Sequence, residues 1–271
     1  MKNIAGSIAV VTGAGSGIGR ATALALAGQD VRVAVTDVAE ESADETVEAI
    51  RRGGGEAWAF RLDVSDPGQA SDAAAAIAES LGVPAVLVNN AGIAVGGLFL
   101  DSSPESWDRI VAVNLMGVVN CCRAFLPRMV ASGRPGHVVN IASMLGYTGA
   151  RGVSAYCATK HGVVGFSECL RAELWDHGLG VSTVCPGLIS TNIIRAGILE
   201  SPDENVEARR AKLDEFFQRR NYSPDKVAQA VLSAIRRNRA VVPVTPEAWA
   251  AWYAKRWAPW LVARLARRQL A

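Results

Sequence analysis

Short apolar segments alternate with helical segments along most of this chain, and that alternation restricts the fold more than any other feature. The predicted strands are Ile8–Thr12, Val31–Thr36, Ala57–Arg61, Ala85–Val88, Gly136–Ile141, Gly180–Cys185 and Ala240–Val242. The predicted helices between them include Glu40–Arg52, Pro67–Ser80, Pro104–Val130 and Pro224–Arg237. Strands separated by helices form right-handed crossovers within a parallel sheet. We predict an α/β fold, a doubly wound parallel sheet, as one domain over residues 1–245, with a helical C-terminal tail over 246–271.

The first predicted strand runs directly into a glycine-rich loop, Gly13-Ala-Gly-Ser-Gly17-Ile18-Gly19, and then into a helix-forming run. Bare backbone N–H groups and a helix N-terminus form a binding site for phosphate. Asp37 follows the second strand, where a carboxylate suits hydrogen bonding to ribose hydroxyls. That carboxylate would repel a 2′-phosphate, and Ser16 in the loop supplies no cation to offset it. We therefore predict a Rossmann-like dinucleotide site that takes NAD in preference to NADP.

Composition argues against several other classes of function. The 28 basic and 26 acidic residues nearly balance, which disfavours a nucleic-acid binder. The five cysteines lack metal-binding spacing, and their apolar settings suggest reduced thiols in a cytoplasmic protein. No signal-peptide pattern is found at the start. The stretch Leu81–Leu100 has no charge, but its proline, asparagines and glycines favour a buried strand and loop over a membrane span.

Tyr156 and Lys160 lie four residues apart in a segment predicted to be helical, SAYCATKHGVVGF. Residues i and i+4 share one face of a helix, so the phenol and the ammonium can lie side by side. A phenol titrates near pH ~10, and a neighbouring cation favours the phenolate. The spacing therefore predicts a lowered pKa for Tyr156 and a general acid or base usable near neutral pH. The alternative is a half-buried ring beside a solvated lysine.

Six motifs, in order and in register, resemble those of the short-chain dehydrogenase/reductase family over roughly Ile8 to Val242. The matching residues are TGAGSGIG at Thr12–Gly19, Asp63-Val64, NNAG at Asn89–Gly92, Asn114 in VAVNLMGV, Ser143 with Tyr156-x-x-x-Lys160, and Pro186-Gly187-Leu-Ile189-Ser-Thr191. Ser143 precedes Tyr156 by thirteen residues, as the family pattern requires. Several of these residues follow predicted strands, so they should lie on one rim of the sheet, where such folds bind ligands.

The resemblance implies a catalytic tetrad and a set of cofactor contacts. Tyr156 would exchange a proton with the substrate, and Lys160 would lower the pKa of Tyr156 and hold the nicotinamide ribose. Ser143 would position the substrate oxygen, and Asn114 would tether a water that links Lys160 to solvent. The cofactor-binding residues implied are Gly13, Ser16, Gly17, Ile18, Gly19, Asp37, Asp63, Val64, Asn90, Ala91, Gly92, Val113, Tyr156, Lys160, Pro186, Gly187, Ile189 and Thr191.

Ordinary structural roles remain open for several of these residues. Asn114 could cap or kink its helix, and Ser143 could be an ordinary loop serine. Asp63 could pair with the start of the next helix, although Ser65–Asp66 is better placed for that. Asn89–Asn90 could serve only a turn. The three histidines (His137, His161 and His177) lack ligand spacing, so we predict structural or surface roles for them and no metal.

The substrate pocket is predicted from residues that flank the catalytic groups and the motifs. Those residues are Val95, Met144, Leu145, Val153, Leu188 and Ile193. The segment Leu188–Tyr222 is the predicted lid; its apolar candidates also include Ile194, Phe216 and Phe217, and the arginines Arg151, Arg195, Arg209 and Arg210 are predicted to be surface charges. A mostly apolar lining predicts a hydrophobic alcohol or ketone, such as a steroid, retinoid, terpenoid or lipid derivative.

The tail from Glu247 to Ala271 holds four of the seven tryptophans and five basic residues against a single acid. Its aromatic residues follow a helical stripe, with a break expected at Pro259. Two interpretations remain open. The stripe packs on the domain, on a partner subunit or at the pocket mouth, or it contacts a membrane peripherally, because aromatic and basic residues suit a bilayer interface.

Together these features predict an NAD-dependent oxidoreductase that interconverts a hydrophobic secondary alcohol and its ketone. Epimerases and dehydratases on this fold share Tyr-x-x-x-Lys, but they resemble longer chains with a larger C-terminal substrate domain. A nucleotide-binding regulator without turnover is the other alternative, although such proteins usually have a broken tetrad. The resemblance also implies a homotetramer or homodimer built from the helices containing Asn114 and Tyr156.

Overall fold

The structure, a computed structural model, describes residues 1, 3–190, 193, 197–200, 211, 215 and 222–267. The strands of the main sheet are β1 Ile8–Thr12, β2 Arg32–Asp37, β3 Ala57–Arg61, β4 Val86–Asn89, β6 Gly136–Ile141, β7 Leu179–Cys185 and β9 Val241–Pro243. A separate pair consists of β5 Val95–Gly96 and β8 Ile198–Leu199. The α-helices are α1 Gly17–Ala27, α2 Glu40–Arg52, α3 Pro67–Ser80, α4 Pro104–Val111, α5 Gly117–Ala131, α6 Ser154–Glu173, α7 Pro224–Arg237, α8 Pro246–Trp257 and α9 Pro259–Leu265.

The seven strands of the main sheet are all parallel and lie in the order β3-β2-β1-β4-β6-β7-β9. The chain builds outward from β1 to β3 and then returns to place β4 on the other side of β1. The strand order therefore reverses between β1 and β4, which is the point where doubly wound sheets bind ligands. The predicted doubly wound parallel sheet is confirmed.

Both faces of the sheet are covered, so its strands are continuous apolar runs rather than alternating ones. Ala9 and Val11 of β1 face one core, which α1, α2 and α7 complete. Val10 faces the opposite core, which α3, α5 and α6 complete, with Phe125 among its largest fully buried side chains. This double burial explains why the strands were recognisable in the sequence as short segments without charge.

The helical stretch Pro104–Ala131 differs from its expected form in one respect. The sequence predicted a single helix, but five residues in its middle, Ala112–Met116, form a π-helical turn between α4 and α5. The stretch has the length and mean hydropathy (1.6) of a membrane span, yet half of its most apolar window is buried inside the protein. Length and composition are therefore weak evidence for a span here.

The remaining differences are small. Strand ends agree with the predictions to within one residue, and Leu81–Leu100 forms strand and loop as expected. The short parallel pair β5–β8 was not predicted, because two-residue strands leave no periodic pattern in a sequence. In the tail, the expected break falls at Ala258, between α8 and α9.

Candidate active site

The glycine loop lies at the carboxyl end of β1, packed against the turn after β4. A Cβ on Gly19 would lie 2.1 Å from the carbonyl oxygen of Gly13, and one on Gly13 (φ +60°) would lie 2.8 Å from Ala91 Cα. Only glycine fits these positions. The amide of Asn90 donates to the carbonyls of Thr12 and Gly13, at 2.9 and 3.0 Å, and so fixes the loop. Asn90 therefore supports the loop through its side chain, which is more than serving its own turn.

Asp37 ends β2 beside this loop. One carboxylate oxygen accepts the backbone N–H of Gly15 at 2.8 Å, and the other accepts that of Ala39 at 3.0 Å. These two bonds hold the carboxylate at the rim with lone pairs left for a ligand. Arg20, in the first turns of α1, is paired with Glu45 at 2.7 Å. Its charge is therefore partly neutralised on the protein itself.

Asp63 and Val64 follow β3, as predicted. Asp63 accepts the backbone N–H and the hydroxyl of Ser65, at 2.9 and 2.6 Å. Asp66, not Asp63, caps α3, since its carboxylate accepts two backbone N–H groups of the first turn. The buried amide of Asn120 donates to the carbonyl of Val64 at 3.0 Å and anchors this segment to α5. The capping alternative for Asp63 is thus not what the structure shows.

Ser143, Tyr156 and Lys160 come together at the carboxyl end of β6. Ser143 follows the strand, and α6 places Tyr156 and Lys160 on the face directed at it. The Lys160 ammonium lies 5.7 Å from the centre of the Tyr156 ring and donates to the carbonyl of Ile141 at 3.0 Å. Lys160 is only 4% exposed, so its charge is held inside the protein. The alternative of a solvated lysine is therefore wrong.

Burial dominates the titration of this group of residues. It raises the pKa of Tyr156 to about 12, although the adjacent Ser143 hydroxyl partly lowers it. Burial also lowers the pKa of Lys160 to about 8. The direction for Tyr156 is opposite to the one expected from the i, i+4 spacing. The reason is that desolvation disfavours the phenolate of Tyr156. The Lys160 ammonium donates its hydrogen bond to the carbonyl of Ile141.

Asn114 lies in the π-helical turn and is fully buried. Its side-chain oxygen accepts the backbone N–H of Ile93 at 2.8 Å, and its nitrogen donates to the carbonyl of the same residue at 2.9 Å. The backbone N–H and the carbonyl of Ile93, the residue just after the NNAG segment, are thereby both held in place. The irregular helix and this paired contact occur together, and π-turns are frequent at functional sites. Val113 precedes it in the same turn.

Of the residues predicted to line the substrate pocket, Val95 packs in the same apolar cluster as the Tyr156 ring. Val95 is buried and pairs with Ile198, and Val153 precedes α6 and bridges to Gly97. The other predicted positions are partly accessible: Met144 and Leu145 after Ser143, Leu188 after the Pro186-Gly187 motif, and Ile193. Thr191, Ile194, Arg195, Arg209, Arg210, Phe216 and Phe217 lie outside the described residues.

Two predicted motifs meet directly, because the backbone N–H of Met144 donates to the carbonyl of Pro186 at 2.8 Å. This bond joins the turn after Ser143 to the segment after β7. A Cβ on Gly187 would lie 2.1 Å from the Thr245 hydroxyl, so the tail approaches this segment closely. Ile189, a predicted cofactor residue, is buried in the core.

The tail makes three hydrogen bonds to the domain that sequence reasoning missed. A carboxylate oxygen of Glu247 accepts the backbone N–H of Leu188 at 3.2 Å. The Tyr147 hydroxyl donates to the carbonyl of Ala248 at 2.7 Å, and the backbone N–H of Arg151 donates to Ala266. The one sequence feature that could have pointed to the contact of Glu247 is that this residue is the single acid of a basic tail. The interpretation that the tail packs on the domain therefore holds for its inner side.

No histidine contributes to this site. His137 is fully buried and hydrogen bonds Ser182 at 2.8 Å, and burial lowers its pKa to about 3. The five cysteines are free thiols, four of them buried. Within the described ranges, no group of three His, Cys, Asp or Glu side chains could hold a metal ion.

The residues present fit a nicotinamide dinucleotide. The glycine loop offers a surface from which side chains are sterically excluded, which is what the close approach of a pyrophosphate needs. A fixed carboxylate at Asp37 suits ribose hydroxyls. Further along the rim, a Cβ on Gly92 would lie 3.2 Å from the Asn114 oxygen and 3.6 Å from the Lys160 ammonium, so this position also keeps space beside the buried charge.

Comparison with known families agrees with this geometry. Residues 7–200 match the family described as short chain dehydrogenase. A crystal structure of a short-chain dehydrogenase/reductase from Burkholderia phymatum, in complex with NAD, superposes with a TM-score of 0.89 at 31% identity. That alignment covers 100% of this chain and 99% of the other.

Several curated relatives are named oxidoreductases or dehydrogenases. EphD of Mycobacterium tuberculosis is 46% identical over 243 residues, which are 89% of this chain but 41% of EphD. The chain thus spans about two fifths of that relative. SadH of the same organism is 38% identical and covers 92% of this chain and 89% of its own length. LinX of Sphingobium indicum, a 2,5-dichloro-2,5-cyclohexadiene-1,4-diol dehydrogenase, is 38% identical over 71% of this chain and 76% of its own.

The steric exclusion at Gly19 generates a first prediction. Gly19→Ala should lower NAD affinity at least about tenfold, because the loop backbone must move to accept the methyl group. Isothermal titration of NAD into the folded variant measures this. Gly28→Ala is the matched control, since a Cβ there would meet its nearest atom at an ordinary 3.6 Å. Unchanged affinity in Gly19→Ala would contradict the loop's assignment.

The buried ammonium generates a prediction about pH and stability. Between pH 8 and the ordinary lysine value of 10.5, the unfolded chain keeps the Lys160 proton that the folded protein has lost. The free energy of unfolding should therefore rise with pH over this window, relative to Lys160→Met, by up to about 3 kcal/mol. Urea unfolding of both proteins across the window measures the difference. Lys255→Met, at an exposed site, is the control, and a flat wild-type-minus-Lys160→Met difference would refute the buried charge.

Proposed function

The chain belongs to the short-chain dehydrogenase/reductase family, and from that membership we propose that it is an NAD-dependent dehydrogenase that interconverts an apolar secondary alcohol and its ketone. The observation that carries the proposal is the convergence of Ser143, Tyr156 and Lys160 at the same sheet edge as the glycine loop. NAD(P)-dependent oxidoreductase chemistry follows from the family. The choice of cofactor, the role of Tyr156 and the substrate class are our proposals.

The bound nicotinamide supplies hydride transfer, and the protein supplies orientation and proton transfer. Tyr156 donates a proton to the substrate oxygen in reduction and accepts it in oxidation. Because burial raises its pKa to about 12, the phenol is protonated at neutral pH and ready to donate. Ser143, whose hydroxyl lies next to that phenol, holds the substrate oxygen as a neutral hydrogen-bond donor. Lys160 places a fixed positive charge beside the site and holds the ribose.

Asp37 supports NAD rather than NADP. Its carboxylate is fixed by two backbone N–H groups and cannot swing away without breaking them. Two like charges about 4 Å apart repel by roughly 4 kcal/mol at the effective dielectric of a protein surface. Arg20, which could otherwise offset a 2′-phosphate, is paired with Glu45. The NAD-complexed Burkholderia phymatum structure is consistent with this preference.

An apolar substrate is supported by the surroundings of the Tyr156 ring. The ring packs against a small cluster of apolar side chains, built around Val95, Ile110 and Ala155. Ile93, Trp107 and Ile198 complete it from the loop after β4, from α4 and from β8. The relative LinX is named as the dehydrogenase of a chlorinated cyclohexadiene diol, which supports a ring alcohol as substrate. We propose that the substrate's apolar part lies against this cluster.

The acid/base role of Tyr156 is tested by removing its hydroxyl. Tyr156→Phe should lower turnover at least about a hundredfold, the usual contribution of a positioned acid or base, while NAD binding persists. Steady-state oxidation and NAD titration of the same preparation separate the two effects. Tyr222→Phe is the control, because its hydroxyl donates to the carbonyl of Val244 and turnover should change little. Retained turnover in Tyr156→Phe would remove this residue from the acid/base role.

The cofactor preference is tested at Asp37. Asp37→Ser should raise the ratio of kcat/KM with NADP to kcat/KM with NAD at least about tenfold, because the repulsion of the 2′-phosphate is lost. Asp44→Ser changes the net charge equally at an exposed position of α2 and should leave the ratio unchanged. A wild-type protein that already prefers NADP, or an Asp37 variant with an unaltered ratio, would contradict the assignment.

A further inference from the structure

The tail helices α8 and α9 have two different faces. Their inner face is buried against the domain through Ala248, Val262 and Trp252, whose ring packs edge-on against Tyr147 at 5.1 Å. Their outer face carries large apolar side chains that are exposed: Tyr253, Trp257, Trp260, Leu261 and Leu265. Trp257 and Trp260 are 83% and 70% exposed. Packing on the domain therefore accounts for only half of the tail's aromatic stripe.

The charges around this outer face have one sign. Lys255, Arg256 and Arg264 are exposed residues of the same two helices, with Arg256 stacked on the Trp252 ring at 3.2 Å, and Arg267 follows them. Glu247, the single acid of the tail, is on the inner side, where it accepts the N–H of Leu188. The exposed charged residues of the described tail are therefore all basic.

We propose that the outer face of α8 and α9 is a binding surface for an anionic lipid bilayer. Tryptophan rings favour the headgroup level, and lysines and arginines beside them are attracted to a negatively charged leaflet. The two helices lie parallel to the membrane surface, with their outer face against the lipid and the domain on the side away from it. This binding is independent of the enzyme's substrate.

A second copy of the chain fits this face less well. A two-fold symmetric contact centred on this face would bring it against itself, so the cations of one copy would lie opposite those of the other. Like charges facing each other disfavour that arrangement, whereas anionic headgroups neutralise them. The charge pattern therefore favours lipid over a two-fold contact centred on this face.

The test uses the full chain and vesicles without substrate. The protein should sediment with vesicles that contain roughly one third phosphatidylserine, and at least about tenfold less with phosphatidylcholine alone or at about 1 M salt. The double substitution Trp257→Ala with Trp260→Ala should reduce sedimentation with anionic vesicles at least about tenfold. Arg264→Glu should also weaken it. Trp175→Ala, at an exposed tryptophan outside the tail, and Arg52→Glu, on α2, should bind like the wild type.

Folding and self-association are measured on the same proteins. The thermal unfolding and the oligomeric state of the double variant should match those of the wild type, since both tryptophans are exposed. Failure of the intact protein to bind anionic vesicles would overturn the proposal, as would equal binding to neutral ones. A smaller oligomer in the double variant would also overturn it and assign the face to a second copy.

Discussion

The parallel pairing of the seven strands determines where the chemistry of this protein can lie. All strands end at the same edge, so the glycine loop, Asp37, the NNAG turn and Ser143 become neighbours although they are far apart in the chain. The site is then joined by short bonds between these ends, such as Asn90 to the glycine loop and Met144 to Pro186.

The most costly element of this arrangement is the Lys160 ammonium. It is almost completely buried, it donates to the carbonyl of Ile141, and its lowered pKa reflects the cost of keeping a charge there. Tyr156 experiences the same desolvation with the opposite sign of charge, so its neutral form is favoured. Active sites commonly retain such destabilising groups because their function needs them. The Ser143–Tyr156–Lys160 group contains such a destabilising group, the buried ammonium of Lys160.

The sequence alone was sufficient to predict the features that depend on hydrophobic periodicity, on the positions of glycines and on the ends of strands. The parallel sheet is confirmed, and Ser143, Tyr156 and Lys160 lie together at the carboxyl end of β6, while their roles stay a prediction. It was insufficient for contacts made between distant side chains. The direction of the Tyr156 pKa shift depends on burial. The two hydrogen bonds between Asn114 and Ile93 need a π-turn, and the bond from Leu188 to Glu247 joins residues 59 positions apart. The spacing of residues within one helix does not determine the pKa direction or either of these contacts.

From the loop, the buried charge and the apolar cluster we propose that this oxidoreductase acts on a hydrophobic substrate with NAD. The measurement that tests this most directly is a panel of secondary alcohols of graded polarity, offered with NAD and with NADP, while the absorbance of the reduced cofactor is followed. We predict that kcat/KM rises with the apolar surface of the alcohol and is at least about tenfold higher with NAD than with NADP. A preference for NADP, or for charged alcohols over apolar ones, would contradict the account.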